Sequence, residues 1–582
     1  MNIQFWGKSY STGDLIKYRR RLTKDLRQKI ENPVSKKMLI LSGSTIGELA
    51  EQLEMFCLEK GVQLTIKQGD FGRYYEDAVF GNSELESENY DCIYVHVTSR
   101  NLTNIPEPCD TADKVVEKLQ AEKNKINEVI SSLQKKYSCP IIHNNYELFP
   151  YRPMGNREAW DDSGLINFIN TINHFLNVKA REDKNLYIND MNYLSAYYGL
   201  KQWSEPSYWY RYKYAMCIDA IPFVAQNLSA LFLSLCGINR KTIALDLDNT
   251  LWGGVIGDDG VDNIIIGNDT ANGEAYVEFQ KYIKLLSKTG LLLGVVSKND
   301  EQIAKRAFER SEMVLKQEDF AAFIANWNPK SENLKLMAKK LNLGIDSFVF
   351  IDDSCMERDE VSSSIAKIGV PILTEVSHFI QDIEECHFFE VANRTDEDRE
   401  RTNYYLQNEK REEEKKKYNN YDEYLESLEM EWNFSKFKEE SFDRIVQLTN
   451  KTNQFNLTTL RMNMGDIVLR SSSPEEYICI QGSMKDKFGD NGLVTVLMGK
   501  IQEDTLEIEN WLMSCRVFRR NGEYRLFDYL VIQCKERNIS KIIGTYKPTE
   551  KNVLVKEFYK TLGFQLIEEF ADGSTVYEYT IL

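Results

Sequence analysis

At 582 residues the chain is several times longer than one hydrophobic core sustains, so three or four domains are expected. A formal net charge of −17 speaks against a binder of nucleic acid, which needs basic surface to neutralise phosphates. The 11 cysteines, with no CxxC pair and no Cys/His run at zinc-ligand spacing, speak against a disulfide framework and against structural zinc.

The N-terminus, MNIQFWGKSYSTGDL, lacks a basic segment followed by an apolar one, and the sequence shows no uninterrupted apolar run long enough for a bilayer. A cytoplasmic location without a membrane partner is the expectation. Residues 38–102 then alternate strand-like KMLILSGS, helical IGELAEQLEMFCLEKG, and strand-like VQLTIKQG and YDCIYVHVTS, the pattern of a parallel sheet covered by helices. A charged helix is expected over 111–136 and another strand at CPIIHNN. The Tyr- and Trp-dense stretch 185–216 suits a packed connector.

From KTIALDLDNT the alternation restarts, with strands at 242–247, LLLGVVS, AAFIAN and SFVFIDD and helices at 274–289, 300–310, 330–342 and 356–368, a second doubly wound domain. The charge-rich stretch 396–430 reads as a helical linker with a solvated face. A third α/β unit, 431–582, ends in KNVLVKEFYKTLGFQLIEEF and the strand STVYEYTIL. The domains expected are therefore 1–235, 236–395, the linker 396–430, and 431–582, in a multidomain α/β fold.

Two acids at a strand end need a chemical reason. The carboxyl ends of parallel strands face the ligand crevice of open α/β sheets. There one acid of Asp246-x-Asp248 can attack an electrophile while the other moves a proton, and a bound Mg²⁺ would suppress their repulsion and neutralise phosphate oxygens. Such a site demands a phosphate-binding hydroxyl, a lysine and another acid from later strands. Ser297, followed by Lys298 and Asn299, ends LLLGVVS; Lys330 opens a helix in NWNPKSENL; Asp352 and Asp353 end SFVFIDD.

DLDNT, VVSKND, NPKSENL and FIDD resemble the four motifs of the haloacid dehalogenase (HAD) phosphotransferase superfamily. LDLDNTLWGGVIGDDG, FIANWNPKSENL and FVFIDDSCMERDEV resemble its FkbH-like branch. The resemblance implies that Asp246 is the nucleophile and Asp248 the general acid/base, that Ser297, with Lys298 and Asn299, binds phosphoryl oxygens, and that Lys330 neutralises developing charge. It implies Mg²⁺ held by Asp246, the main-chain carbonyl of Asp248, Asp352 and Asp353. FkbH-like proteins are associated with loading a glyceryl unit from 1,3-bisphosphoglycerate onto an acyl carrier protein thiol, in some members through a cysteine; Cys355 is the thiol nearest these motifs.

In the N-terminal domain, LILSGSTIGEL resembles an SGNH hydrolase, with Ser42 or Ser44 after the first strand. None of His96, His143, His174, His378 and His387 falls in a late Asp-x-x-His arrangement, so a non-catalytic scaffold is expected. In the C-terminal domain, IENWLMSCRVFRRNGEYRLFDYLVIQCKE and NVLVKEFYKTLGF resemble a GNAT acetyltransferase. That resemblance nominates Arg519, Arg520, Gly522, Asn552 and Tyr559 for a coenzyme A or phosphopantetheine ligand, and the amide-rich NKTNQFNLTTLR, 450–461, for the lining of its cleft. Arg519, Arg520 and Lys415 to Lys417 would supply charge for an acidic carrier. The reading is thus an Mg²⁺-dependent acyl-transferring enzyme. A small-molecule phosphatase and a non-catalytic assembly protein that senses a phosphorylated ligand are the alternatives.

Overall fold

The computed structural model describes residues 2–392, 404, 407, 408, 410, 411, 414–418, 420–514 and 517–581. The chain divides into two compact units, Met1–Leu235 and Cys236–Leu582.

The first unit opens with a hairpin, β1 (Asn2–Phe5) and β2 (Lys8–Ser11), turned by Trp6 and Gly7 in left-handed conformations. The helix Thr12–Lys29 follows, capped by the Ser11 side chain on the amide of Asp14. Five parallel strands come next: β3 (Val34–Ser42), β4 (Val62–Gln68), β5 (Cys92–His96), β6 (Ile141–Asn144) and β7 (Leu186–Asn189), in the order β4-β3-β5-β6-β7. Helices on both faces explain why β5 and β6 are buried along their whole length.

The stretch expected as a connector is part of this sheet domain. Its first residues form the edge strand β7, and Met191–Tyr198 and Pro206–Tyr212 are helical. One helical stretch, Ile218–Leu235, does reach the length and apolarity of a membrane span, against the sequence expectation, and 72% of it is buried inside its own unit. It packs on the helix Gly47–Glu59, so core burial accounts for its apolar character.

Within this core lie two histidines with unusual burdens. Burial pushes His96 and His143 down to about 4, so both fold as neutral rings. The unfolded chain binds their protons from about pH 6.5 downward, so their stabilising effect is complete above that pH and is lost as pH falls toward 4. The unfolding free energy of the first unit, from urea titration of the full chain, should fall from pH 7 to pH 5 by on the order of 2 kcal/mol per histidine. A flat profile would contradict the neutral assignment.

The second unit carries two sheets. The first holds four parallel strands, β8 (Thr242–Leu245), β9 (Leu292–Ser297), β10 (Phe320–Ala325) and β11 (Phe348–Ile351), ordered β10-β9-β8-β11. One face packs on a cluster around Trp252, Phe279 and Phe308, the other on one around Leu334, Met337 and Phe350. Gly294 of β9 lets the helix Lys330–Lys340 approach, since a Cβ there would lie 2.5 Å from the Met337 sulfur.

The remaining sheet runs β12-β14-β15-β16-β17-β19-β18, built from β12 (Glu431–Lys436), β14 (Tyr477–Asp486), β15 (Gly489–Gln502), β16 (Thr505–Met513), β17 (Lys541–Tyr546), β18 (Gln565–Glu569) and β19 (Thr575–Thr580). Its pairs are antiparallel except β16 with β17, which are joined by the crossover helix Gly522–Lys535. A short strand, β13 (Phe455–Asn456), pairs with the end of β16.

Much of the expected linker 396–430 lies outside the described residues. Its described part is mixed: Lys415, Lys416, Lys417 and residues 420–423 are exposed, whereas Arg411 is 1% exposed and bonds Asp486 through two N–H groups at 2.7 Å, and Tyr424, Leu425 and Leu428 are buried. Arg411 alone among these described charges departs from the expected solvated face, because it satisfies a buried acid instead of facing water.

Candidate active site

The four segments with charged or hydroxylated ends converge at the carboxyl edge of the sheet β10-β9-β8-β11. Asp246 follows β8 directly, and its amide is tied to the carbonyl of Ile351 on β11 at 3.0 Å. That bond fixes the first acid next to the last pair. Oxygens of Asp246, Asp352 and Asp353 lie within 4.8 Å of one another.

Lys330 stands at the first position of the helix Lys330–Lys340 and is 3% exposed. Its ammonium contacts Asp352 and lies 3.0 Å from Oδ1 of Asp246. Burial works against its charge, but Asp246 and Asp352 outweigh that and leave its pKa raised. Burial and then the neighbouring Asp246 raise Asp352, with Lys330 opposing; burial and Asp246 raise Asp353 likewise. Asp246 Oδ1 is buried, with the Lys330 ammonium as its partner. Three crowded carboxylates that offer oxygen donors alone fit a hard divalent cation such as Mg²⁺, held by Asp246, Asp352 and Asp353.

Asp248 is held differently. Its Oδ1 accepts from the indole of Trp252 (2.9 Å) and the amide of Ile256 (3.1 Å), and its Oδ2 from Asn299 (2.9 Å). Its pKa is raised chiefly by burial, with the Asn299 hydrogen bond pulling the other way. Its side chain is therefore spent on nitrogen donors, outside the three-carboxylate group. Asn299 also donates to the Ser297 hydroxyl at 3.2 Å, which links the end of β9 to the DxD loop. Lys298 turns away to Glu357, at 2.5 Å.

Sequence reasoning missed several supporting groups. The Thr250 hydroxyl donates to Asp353 Oδ1 and accepts from its amide, both at 3.1 Å, across 103 positions. Arg358 donates to the carbonyls of Asp352 and Asp353, each at 2.7 Å. Trp252 was visible as a fully buried donor candidate four residues past an acid, in the LWGG that otherwise reads only as a family mark. Cys355 is exposed at the first position of the helix Cys355–Ser364.

Most of the residues nominated in the C-terminal domain are engaged within the protein itself. Arg520 is buried, with its guanidinium on Asp486 (3.3 Å) and Asn408 (2.8 Å). The Trp432 ring covers Gly522, where a Cβ would lie 2.1 Å from it. Arg519 is exposed, and its carbonyl accepts from the Tyr421 hydroxyl at 2.8 Å. Tyr559 is wholly buried, its hydroxyl without a hydrogen bond and its pKa raised by that burial.

Asn552 is a structural pin. Its amide donates to the carbonyls of Asn456 and Lys547, both at 2.9 Å, and its oxygen accepts from the amide of Thr549 at 2.7 Å. The segment expected to line the cleft fills it. β16 and β17 pair only as far as Ile508 and Gly544, and beyond that β13 lies on β16 while Leu457 bonds Trp511 (3.1 Å) and Lys547 (2.8 Å). Asn552→Ala should cost about 3 kcal/mol, because it strands buried carbonyls and an amide. Thermal unfolding of this domain checks it.

In the first unit Ser42 pairs with His96 across β3 and β5, yet neither serine hydroxyl bonds an imidazole among the described residues. The Ser42 hydroxyl donates to the Ser44 carbonyl, the Ser44 hydroxyl is buried without a hydrogen bond, and His96 Nδ1 is engaged by Tyr94 (2.8 Å) and Asn144 (3.1 Å). A second group with metal-ligand spacing, Glu107, Cys109 and Asp110, is already neutralised by Lys114 and Lys118, each 2.6 Å from Asp110.

Residues 37–232 match the family model of the FkbH N-terminal domain. No curated protein matches the chain. Among solved structures, the N-terminal part of a Bacteroides fragilis protein containing a phosphatase domain, complexed with Mg, is similar at 25% identity and a TM-score of 0.59, over 66% of this chain and 100% of its own. The PaiA N-acetyltransferase of Thermoplasma acidophilum, in complex with coenzyme A, is similar at 11% identity and a TM-score of 0.22 over 26% of this chain and 99% of its own. A GNAT-family acetyltransferase from Staphylococcus aureus gives 12%, 0.21, 26% and 100%. The first domain thus matches the FkbH N-terminal domain model, and about two thirds of the chain is similar to a solved protein that contains a phosphatase domain.

Proposed function

We propose that the chain is an Mg²⁺-dependent enzyme that takes a phosphorylated three-carbon acyl donor of the 1,3-bisphosphoglycerate kind and delivers its acyl group to the thiol of an acyl carrier protein. The observation that supports it best is the convergence of Asp246, Lys330, Asp352 and Asp353 within one buried group. The carboxylate of Asp246 attacks the phosphorus of the donor's ester phosphate and leaves its acyl phosphate intact; the bond from phosphorus to the alcohol oxygen breaks as Asp248 protonates that oxygen, and water later cleaves the aspartyl phosphate while Asp248 accepts its proton. Lys330, Ser297 and Asn299 face the transferring oxygens. Mg²⁺ bound by the three carboxylates would neutralise charge on them and on the phosphate.

In the transfer half, the carrier thiolate attacks the acyl carbon, the C–O bond to phosphate breaks and a thioester forms. Exposed Cys355 is the candidate relay for that acyl group. The test is to incubate the protein with acyl phosphate, Mg²⁺ and a carrier protein and to weigh the carrier. A mass gain of one acyl unit supports transfer, and phosphate release without it sinks the reading in favour of a small-molecule phosphatase. The phosphatase domain named for the similar Bacteroides structure favours that second reading. Cys355→Ser in the same assay should keep phosphate release and lose transfer if the relay operates.

A further inference from the structure

Three of the four motif segments are tied to a single short helix. On Cys355–Ser364, Glu357 holds Lys298 at 2.5 Å, and Arg358 donates through one nitrogen to the carbonyls of Asp352 and Asp353, both at 2.7 Å. From the same helix Glu360 accepts from the amide of Ser331 at 3.2 Å and from its hydroxyl at 2.5 Å. The segment after β9, the start of the lysine helix and the acids after β11 are thus gripped within four consecutive positions.

We infer that the helix Cys355–Ser364 is the positioning element of this site, with Arg358 setting the metal-ligand carboxylates and Glu360 setting Lys330, in separable roles. Arg358 is 9% exposed, and its two donor hydrogens are matched to two adjacent carbonyls. Those bonds fix the peptide planes from which both carboxylates project, and such outer partners typically govern metal affinity by 10 to 100-fold. Glu360 fills a different gap. The helix Lys330–Lys340 starts behind Pro329, which offers no side-chain cap, so a carboxylate from a neighbouring helix receives the free amide next to Lys330.

The inference rests on the metal reading of the site and is independent of acyl transfer. Full-length protein and its variants are titrated with Mn²⁺ alone by electron paramagnetic resonance, with Mg²⁺ alone by calorimetry, and then with inorganic phosphate at saturating Mg²⁺. Arg358→Met is expected to weaken the metal by roughly 10 to 100-fold. Glu360→Ala is expected to leave metal affinity within about twofold and to weaken phosphate by roughly tenfold, since it loosens Lys330 and not the carboxylates. Arg358→Lys, which keeps the charge but not the planar donor pair, decides the matter if the methionine variant does not fold; it should lose roughly tenfold in metal affinity. Folded Arg358 variants that bind both metals like the wild type overturn the inference, as does a Glu360→Ala protein that loses metal as strongly as the Arg358 variants. A wild-type protein that binds neither metal overturns the metal reading itself.

Discussion

Asp246→Asn should abolish phosphate release, by on the order of 10⁴-fold or more, because the amide has neither the nucleophilic oxygen nor the charge that the chemistry uses. The fold should survive. Asp246 shares Lys330 with Asp352, so the lysine keeps one carboxylate partner, and removing one of three crowded acids relieves repulsion. The check pairs a phosphate-release assay with thermal unfolding. Loss of activity at an unchanged or raised melting temperature is expected, and retained phosphate release would take the nucleophile's role from Asp246.

Lys330→Met should act on both activity and stability. The ammonium sits between Asp246 and Asp352 at a buried position, so methionine leaves two buried carboxylates facing each other without a cation. Breaking a buried pair from one side costs on the order of 3–5 kcal/mol. Mg²⁺ bound by the same carboxylates, in the folded protein alone, would return part of that loss by mass action. The melting temperature of Lys330→Met should therefore rise more steeply with Mg²⁺ than that of the wild type. Equal slopes would mean that lysine and metal do not compete for the same charge.

The convergence of the candidate site was legible because chemistry there is written in short, local marks. Acids, a hydroxyl and a lysine stand at the ends of apolar runs, and the ends of parallel strands meet by topology. Partners that act through distance were not legible. Nothing near Arg520 announces that Asp486, 34 positions earlier, takes its charge, nor that Thr250 bonds an acid 103 positions on. The hairpin β1–β2 and the helix after it also carry weak marks: its turn is Trp-Gly, and of the 18 helical residues only Thr12, Leu15, Leu22 and Leu26 are buried. β13 has two residues, too few for any period, and it is a strand only because the gap beyond Ile508 and Gly544 needs one.

That inserted strand sets a toll on the C-terminal domain. An extended ligand entering between the diverging ends of β16 and β17 would compete for the carbonyl of Trp511 and the amide of Lys547, both already claimed by Leu457. Its apparent affinity would be divided by the fraction of molecules in which the strand has swung out, whatever its intrinsic fit. Slow amide exchange at Leu457 and Lys547 would be the resting signature of this arrangement, and a ligand that truly took the slot would leave Leu457 open to solvent.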